Sequence, residues 1–223
     1  MRNERLAHAW HLVTFAVAAF ALVFQLVLIL RGDSVLDEAN APGTPEAVRR
    51  YFFYFTIQAN ALVAFTSWLV ATRDIGSSRL LRVLRIDAVL GIAVTGVVHW
   101  FFLRPIMNLE GASYLADKLL HVAVPLLAVV GWLVFGPRGL VARADIWPAL
   151  IWPIAYLLLI LATGPVFDWY PYPFLDVAEH GLGVVLLNSL GITVLFLAIA
   201  YGAVWADARL PGAKPDDRAR VAA

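Results

Sequence analysis

Residues 11–30 read HLVTFAVAAFALVFQLVLIL, an apolar run with no charge, proline or glycine. About 20 such residues, rising about 1.5 Å each as a helix, cross the hydrocarbon layer of a bilayer. No water in that layer can take up backbone N–H and C=O groups, so the run must be helical. Arg2 and Arg5 precede it as they would a secretory leader. The apolar core is longer than the about 7–15 residues of a cleavable leader, however, and it is predicted to remain as the first span. Five further runs share this character, at 51–71, 86–103, 119–135, 146–163 and 182–205. The fold class that follows is all-α: a polytopic membrane protein, a bundle of six transmembrane helices over residues 1–206. The polar tail at 207–223 is predicted to be disordered and cytoplasmic.

Composition points the same way. Hydrophobic residues make up 61% of the chain and charged ones 15%, with a mean hydropathy of +0.78, against about 25% charged in soluble domains. A formal net charge of +1 leaves no broad cationic face for phosphates, which argues against a nucleic-acid partner. The chain has no cysteine, which excludes disulfides, thiolate nucleophiles, iron–sulfur clusters and cysteine-held zinc. Of the 17 basic residues, 12 fall at the two termini and on the second and fourth connections. Basic residues are retained on the cytoplasmic side, so both termini are predicted there, with the protein in the cell membrane. The longer connections at 31–50, 104–118 and 164–181 are then exterior. The last of them, rich in aromatic residues and proline, is expected to lie at headgroup level as a lid.

Polar residues inside spans face other helices or a cavity, and so point to a site. The second span carries Thr56, Asn60 and Ser67 on one stripe, with Gln58 off it. The fourth opens with Asp117, Lys118 and His121, the acid and the imidazole sharing a face at i, i+4. Pro125 has no N–H to offer residue 121, so a kink and a free carbonyl are predicted there. His99 closes the third span five residues before Arg104, while Thr56 lies six past Arg50 and His121 three past Lys118. Two imidazoles and a hydroxyl therefore reach one layer near the exterior leaflet, below the aromatic connection. Asp87 is expected to pair with a nearby arginine.

A threonine hydroxyl needs an adjacent base to act as a nucleophile, and a neutral imidazole can take its proton. Thr56 and His121 suit attack on an ester carbonyl, with Asp117 orienting the ring and Gln58, Asn60 or Lys118 as candidate oxyanion donors. His99, Tyr172, Phe174, Asp176, His180 and Asn188 are candidate pocket or lid residues. This reading calls for no metal or cofactor. Its partner is a lipid ester or fatty acid within the bilayer. Two other readings use the same residues: a zinc-dependent hydrolase with His99, His121 and His180 as ligands, aided by Asp117 or Asp176, and a lipid-binding protein that performs no reaction.

Three segments carry a resemblance: Tyr54-Phe55-Thr56-Ile57-Gln58, Leu120-His121-Val122-Ala123-Val124-Pro125 and Tyr172-Pro173-Phe174-Leu175-Asp176. In that order they resemble the androgen-induced membrane proteins and the regulators of tissue factor pathway inhibitor related to them, together with bacterial relatives labelled Pr6Pr membrane proteins. The resemblance implies six transmembrane helices and an intramembrane threonine hydrolase cleaving fatty acid esters of hydroxy fatty acids. It places the catalytic threonine at Thr56 and the catalytic histidine at His121.

Overall fold

In a computed structural model, residues 2–33, 42–72, 78–136, 138 and 141–210 are described, and among them the chain is helical with no strand. The helices are α1 (Arg2–Leu30), α2 (Thr44–Phe53), α3 (Phe55–Thr72), α4 (Arg79–Val98), α5 (Gly111–Lys118), α6 (Val124–Phe135), α7 (Ile146–Ala149), α8 (Ile151–Phe167) and α9 (Val177–Arg209). Six segments are long and apolar enough to cross a membrane: Glu4–Leu30, Phe55–Thr72, Arg79–Ile106, Gly111–Phe135, Arg143–Phe167 and Val177–Arg209. The protein is an all-α polytopic bundle. Most spans run past the apolar runs into polar flanks, because a tilted helix can be longer than the hydrocarbon layer it crosses.

The second span is the exception, starting at Phe55 rather than at residue 51. Tyr54 is extended, with φ −70° and ψ 127°, and separates α2 from α3. Neither proline nor glycine stands there, so the break is held by partners. Gln58 Nε2 donates to the Phe52 carbonyl at 3.2 Å and the Tyr156 hydroxyl to the Phe53 carbonyl at 3.0 Å. The Tyr54 carbonyl accepts from the Ile57 and Gln58 N–H groups. The carbonyls of Phe52, Phe53 and Tyr54 thus each find a donor, as burial in an apolar medium demands. The result puts Thr56 in the first turn of α3.

Two stretches are wider than an α-helix, His99–Leu103 and Leu119–Ala123, and each is one turn of π-helix. Arg104 N–H closes the first on the His99 carbonyl and Val124 N–H closes the second on the Leu119 carbonyl. Proline follows in both cases, Pro105 and Pro125. A proline ring crowds the carbonyl four residues back, and widening the turn relieves that clash. Five residues before Pro125, the carbonyl of Leu120 accepts from Asn60 Nδ2 at 3.2 Å.

Small residues let the central helices approach closely. Ala18, Ala59, Ala64 and Ala88 pack with Val63, Ile92 and Val124 at the crossing of α1, α3, α4 and α6. Gly91 sits under the Trp152 ring, where a Cβ would meet it at 2.6 Å. At the charge-poor end a second cluster gathers Tyr51, Tyr54, Leu103, Leu120, Tyr156 and Tyr172 around the break between α2 and α3. α9 runs to Arg209, past the expected domain end at 206, and Asp207 is buried, accepting from the Val141 N–H at 3.1 Å. Residues 211–223 of the expected tail lie outside the described residues. Asp87 is buried, and neither of its oxygens joins an ion pair among the described residues, in contrast to the expected pairing with arginine.

Candidate active site

Thr56 enters the site from the first turn of α3, where backbone N–H groups have no intrahelical partner. Its own N–H donates to the Tyr172 hydroxyl at 3.2 Å, and its Oγ1 lies 3.4 Å from the same hydroxyl. On its other side Oγ1 is 3.2 Å from His121 Nε2. Thr56 and Tyr172 are both buried.

His121 projects from the π turn before Pro125. Its Nδ1 lies 3.2 Å from the backbone carbonyl of Asp117 and 2.9 Å from the Asp117 carboxylate oxygen Oδ1. The carbonyl is the better-directed acceptor; Oδ1 lies close but off the N–H axis, since it makes no well-angled hydrogen bond. Either acceptor puts the ring proton on Nδ1 and leaves the Nε2 lone pair facing the threonine. The other carboxylate oxygen, Oδ2, accepts from Lys118 Nζ at 2.7 Å, and that ammonium also sits 4.8 Å from the centre of the Tyr114 ring.

His99, 1% exposed, stacks face to face on His121 with ring centres 3.9 Å apart and planes 11° apart. Its Nε2 is 3.4 Å from Asp117 Oδ1, close but without hydrogen-bond geometry. The structure thus brings together Thr56, His121, Asp117, Lys118, His99 and Tyr172 from four segments of the chain.

Other candidates fall into supporting places. Gln58 caps the end of α2 and accepts from Trp152 Nε1 at 3.1 Å, so its amide is already engaged away from Thr56 Oγ1. Asn60 Nδ2 donates to the carbonyls of Thr56 at 2.8 Å and Leu120 at 3.2 Å, tying the nucleophile's turn to the histidine's turn. Lys118 is held by Asp117. Asp176 caps α9 by accepting from the N–H groups of Ala178 and Glu179. Asn188 Nδ2 donates to the Phe174 carbonyl at 3.0 Å and fastens the aromatic connection to α9. Phe174 stacks on Tyr172 with centres 5.2 Å apart. His180 is exposed, its nearest ionic neighbour being Glu179 at 4.0 Å, and it does not join the other imidazoles.

Among the described residues the group able to hold a metal is therefore His99, Asp117 and His121, whose ligand atoms lie within 4.8 Å of one another. An imidazole binds a metal in its own ring plane, along the nitrogen lone pair. Two stacked rings with nearly parallel planes cannot both contain one ion, so the observed arrangement serves a stacked pair rather than a shared metal.

Sequence reading missed the hydroxyl of Tyr172 as a partner of Thr56, placing the residue only in the lid. The signal was the position of Tyr172 in the connection rich in aromatics and proline, which folds back onto Thr56. Burial raises the Tyr172 phenol above its ordinary 10.0, so it stays protonated and able to donate.

Two clefts meet at this point. One, of about 820 Å³, runs between α4, α8 and α9 and is lined by Val94, Leu157, Ile192, Thr193 and Phe196. The other, of about 600 Å³, runs between α1, α2 and α5 beneath the connection before α5 and is lined by Gln25, Tyr51, Leu109, Ser113, Asp117 and His121. Thr56, Leu103 and Tyr172 line both and form the wall between them. Comparison with known protein families, curated proteins and solved structures finds no match.

Proposed function

We propose that the protein is an intramembrane threonine hydrolase of lipid esters, with fatty acid esters of hydroxy fatty acids as its substrates. The observation that carries this reading is the 3.2 Å contact between Thr56 Oγ1 and His121 Nε2 at the wall between two apolar clefts. The three segments behind the family resemblance also surround this one site: 54–58 with Thr56, 120–125 with His121, and 172–176 with Tyr172.

In the first step His121 Nε2 takes the hydroxyl proton as Oγ1 bonds to the ester carbonyl carbon. The carbonyl oxygen becomes an oxyanion, held by the Thr56 N–H and the Tyr172 hydroxyl. These two groups bond one another in the resting site, and the substrate oxygen takes the place between them. The N-terminal turn of α3 adds its favourable dipole. Collapse breaks the bond to the alcohol oxygen, which leaves with the proton from His121, and the acyl group stays on Thr56. Water then attacks the acyl-threonine, His121 again taking and returning one proton, and the fatty acid is released.

Purified protein in detergent or vesicles should hydrolyse a fatty acid ester of a hydroxy fatty acid, and Thr56→Ala and His121→Ala should each abolish this while preserving the thermal transition. Turnover that survives Thr56→Ala removes the reading. The alternative of a zinc hydrolase would need His99 and His121 to leave their stack to share an ion with Asp117. About one equivalent of tightly held zinc in the purified protein, with activity lost on chelation, would establish that instead. Recovery of bound, unchanged ester with no turnover would mark a lipid-binding protein.

A further inference from the structure

We infer that the two clefts divide the substrate at its ester bond, the α4/α8/α9 cleft taking the acyl chain and the α1/α2/α5 cleft taking the alcohol chain. This rests on the hydrolase reading and adds to it the direction in which the ester lies. Thr56 borders both clefts, so a carbonyl carbon within reach of Oγ1 has one substituent on each side of the Thr56–Tyr172 wall.

Which substituent goes where is decided by the proton. The alcohol oxygen leaves only if it receives a proton from the imidazole that accepted the threonine's. His121 lines the α1/α2/α5 cleft and not the other. The leaving oxygen therefore lies on that side, and the chain attached to it extends past Asp117 and Ser113 toward Leu109. The acyl group, which stays on Thr56 after the first step, extends the opposite way among Val94, Leu157, Ile192 and Phe196. Both sides are mainly apolar, as two hydrocarbon chains require. Ile154 at the edge of the acyl side is 48% exposed, so this cleft opens sideways between α8 and α9. The alcohol side lies beneath the connection before α5. The site is thus built for esters that carry a long chain on both sides of the ester bond. Acid and alcohol leave by different routes.

The test compares ethyl palmitate, long on the acyl side, with hexadecyl acetate, long on the alcohol side. Thr193→Phe fills the α8/α9 cleft and Ser113→Phe the other. The assignment requires Thr193→Phe to lower kcat/KM for ethyl palmitate about tenfold relative to hexadecyl acetate, and Ser113→Phe to shift the ratio about tenfold the other way, as expected for loss of a few methylenes' contact. Ile192→Trp and Leu109→Trp are second fillers for the same two clefts, read by the same ratio. Shifts in the reverse sense, or both fillings acting on one ester, overturn the assignment while leaving the hydrolase in place. If neither ester is consumed and no acyl adduct forms on Thr56, the hydrolase reading fails and the assignment falls with it.

Discussion

Tyr172 and Asp117 stand on either side of the Thr56–His121 pair, and their chemistry makes them separable by substitution. Tyr172 is a neutral donor, kept protonated by burial. Tyr172→Phe removes the hydroxyl and leaves the ring stacked on Phe174, so kcat should fall about 10²–10³-fold with little change in KM, the behaviour of a lost oxyanion donor. Since its phenol is displaced upward, no fall in rate traceable to Tyr172 is expected as pH rises through 10. Asp117 acts differently. The Nδ1–H of His121 already points at the Asp117 carbonyl, which survives substitution. Asp117→Asn should therefore keep the productive tautomer and lose only the charge that favours the imidazolium. Its kcat should fall by less than that of Thr56→Ala in the same assay, and an equal loss would show that the carboxylate itself sets the ring.

Elements place these residues by departing from regular helix, and each departure has a structural support that can be removed. Asn60 donates to one carbonyl from the turn of α3 and one from the π turn before α6. Asn60→Leu strips a donor from two buried carbonyls, each worth about 1–3 kcal/mol when left unsatisfied. A lowered thermal midpoint and a lowered kcat should appear together. Gly164 supports the lid, since a Cβ there would overlap the Tyr170 ring. At the other edge, Arg49 of α2 lies over the Phe167 ring, 3.9 Å from its centre, and hydrogen-bonds to Glu46. Those bonds hold the Glu46 carboxyl down from 4.5 to about 2. A depressed acid contributes stability above its unfolded value and loses it as pH falls through the folded one. The joint between α2 and the aromatic connection should therefore loosen between about pH 4.5 and 2, seen as a change in Trp169 fluorescence that Glu46→Gln abolishes.

At the scale of the molecule, six spans, an even number, would return the chain to the side it started from, and the excess of basic residues at the termini predicts that this side is the cytoplasm. The absence of cysteine makes a clean reporter of this arrangement. Glu110→Cys, on the connection before α5, should react with a membrane-impermeant maleimide on intact cells. Ala208→Cys, near the end of α9, should react only after the membrane is opened. The reverse pattern would turn the bundle over and place the site at the inner leaflet.

Fold class was legible in the sequence because the bilayer imposes a local rule: about 20 apolar residues in hydrocarbon have one backbone solution, and reading runs from 11–30 onward recovers all six spans. The pairing of Thr56 with the i, i+4 couple Asp117 and His121 was legible too, since depth along a span follows from rise per residue. What no run of residues displays is the break at Tyr54, a bend with neither proline nor glycine, stabilised by Gln58, Tyr156 and Tyr172 from 4 to 118 residues away along the chain. The same holds for the donor hydroxyl of Tyr172, the engagement of Gln58 and Asn60 with carbonyls, and the separation of His180 from His99 and His121. These are contacts between distant segments, chosen by which buried polar groups can satisfy one another once the helices pack. Only the packed bundle decides them.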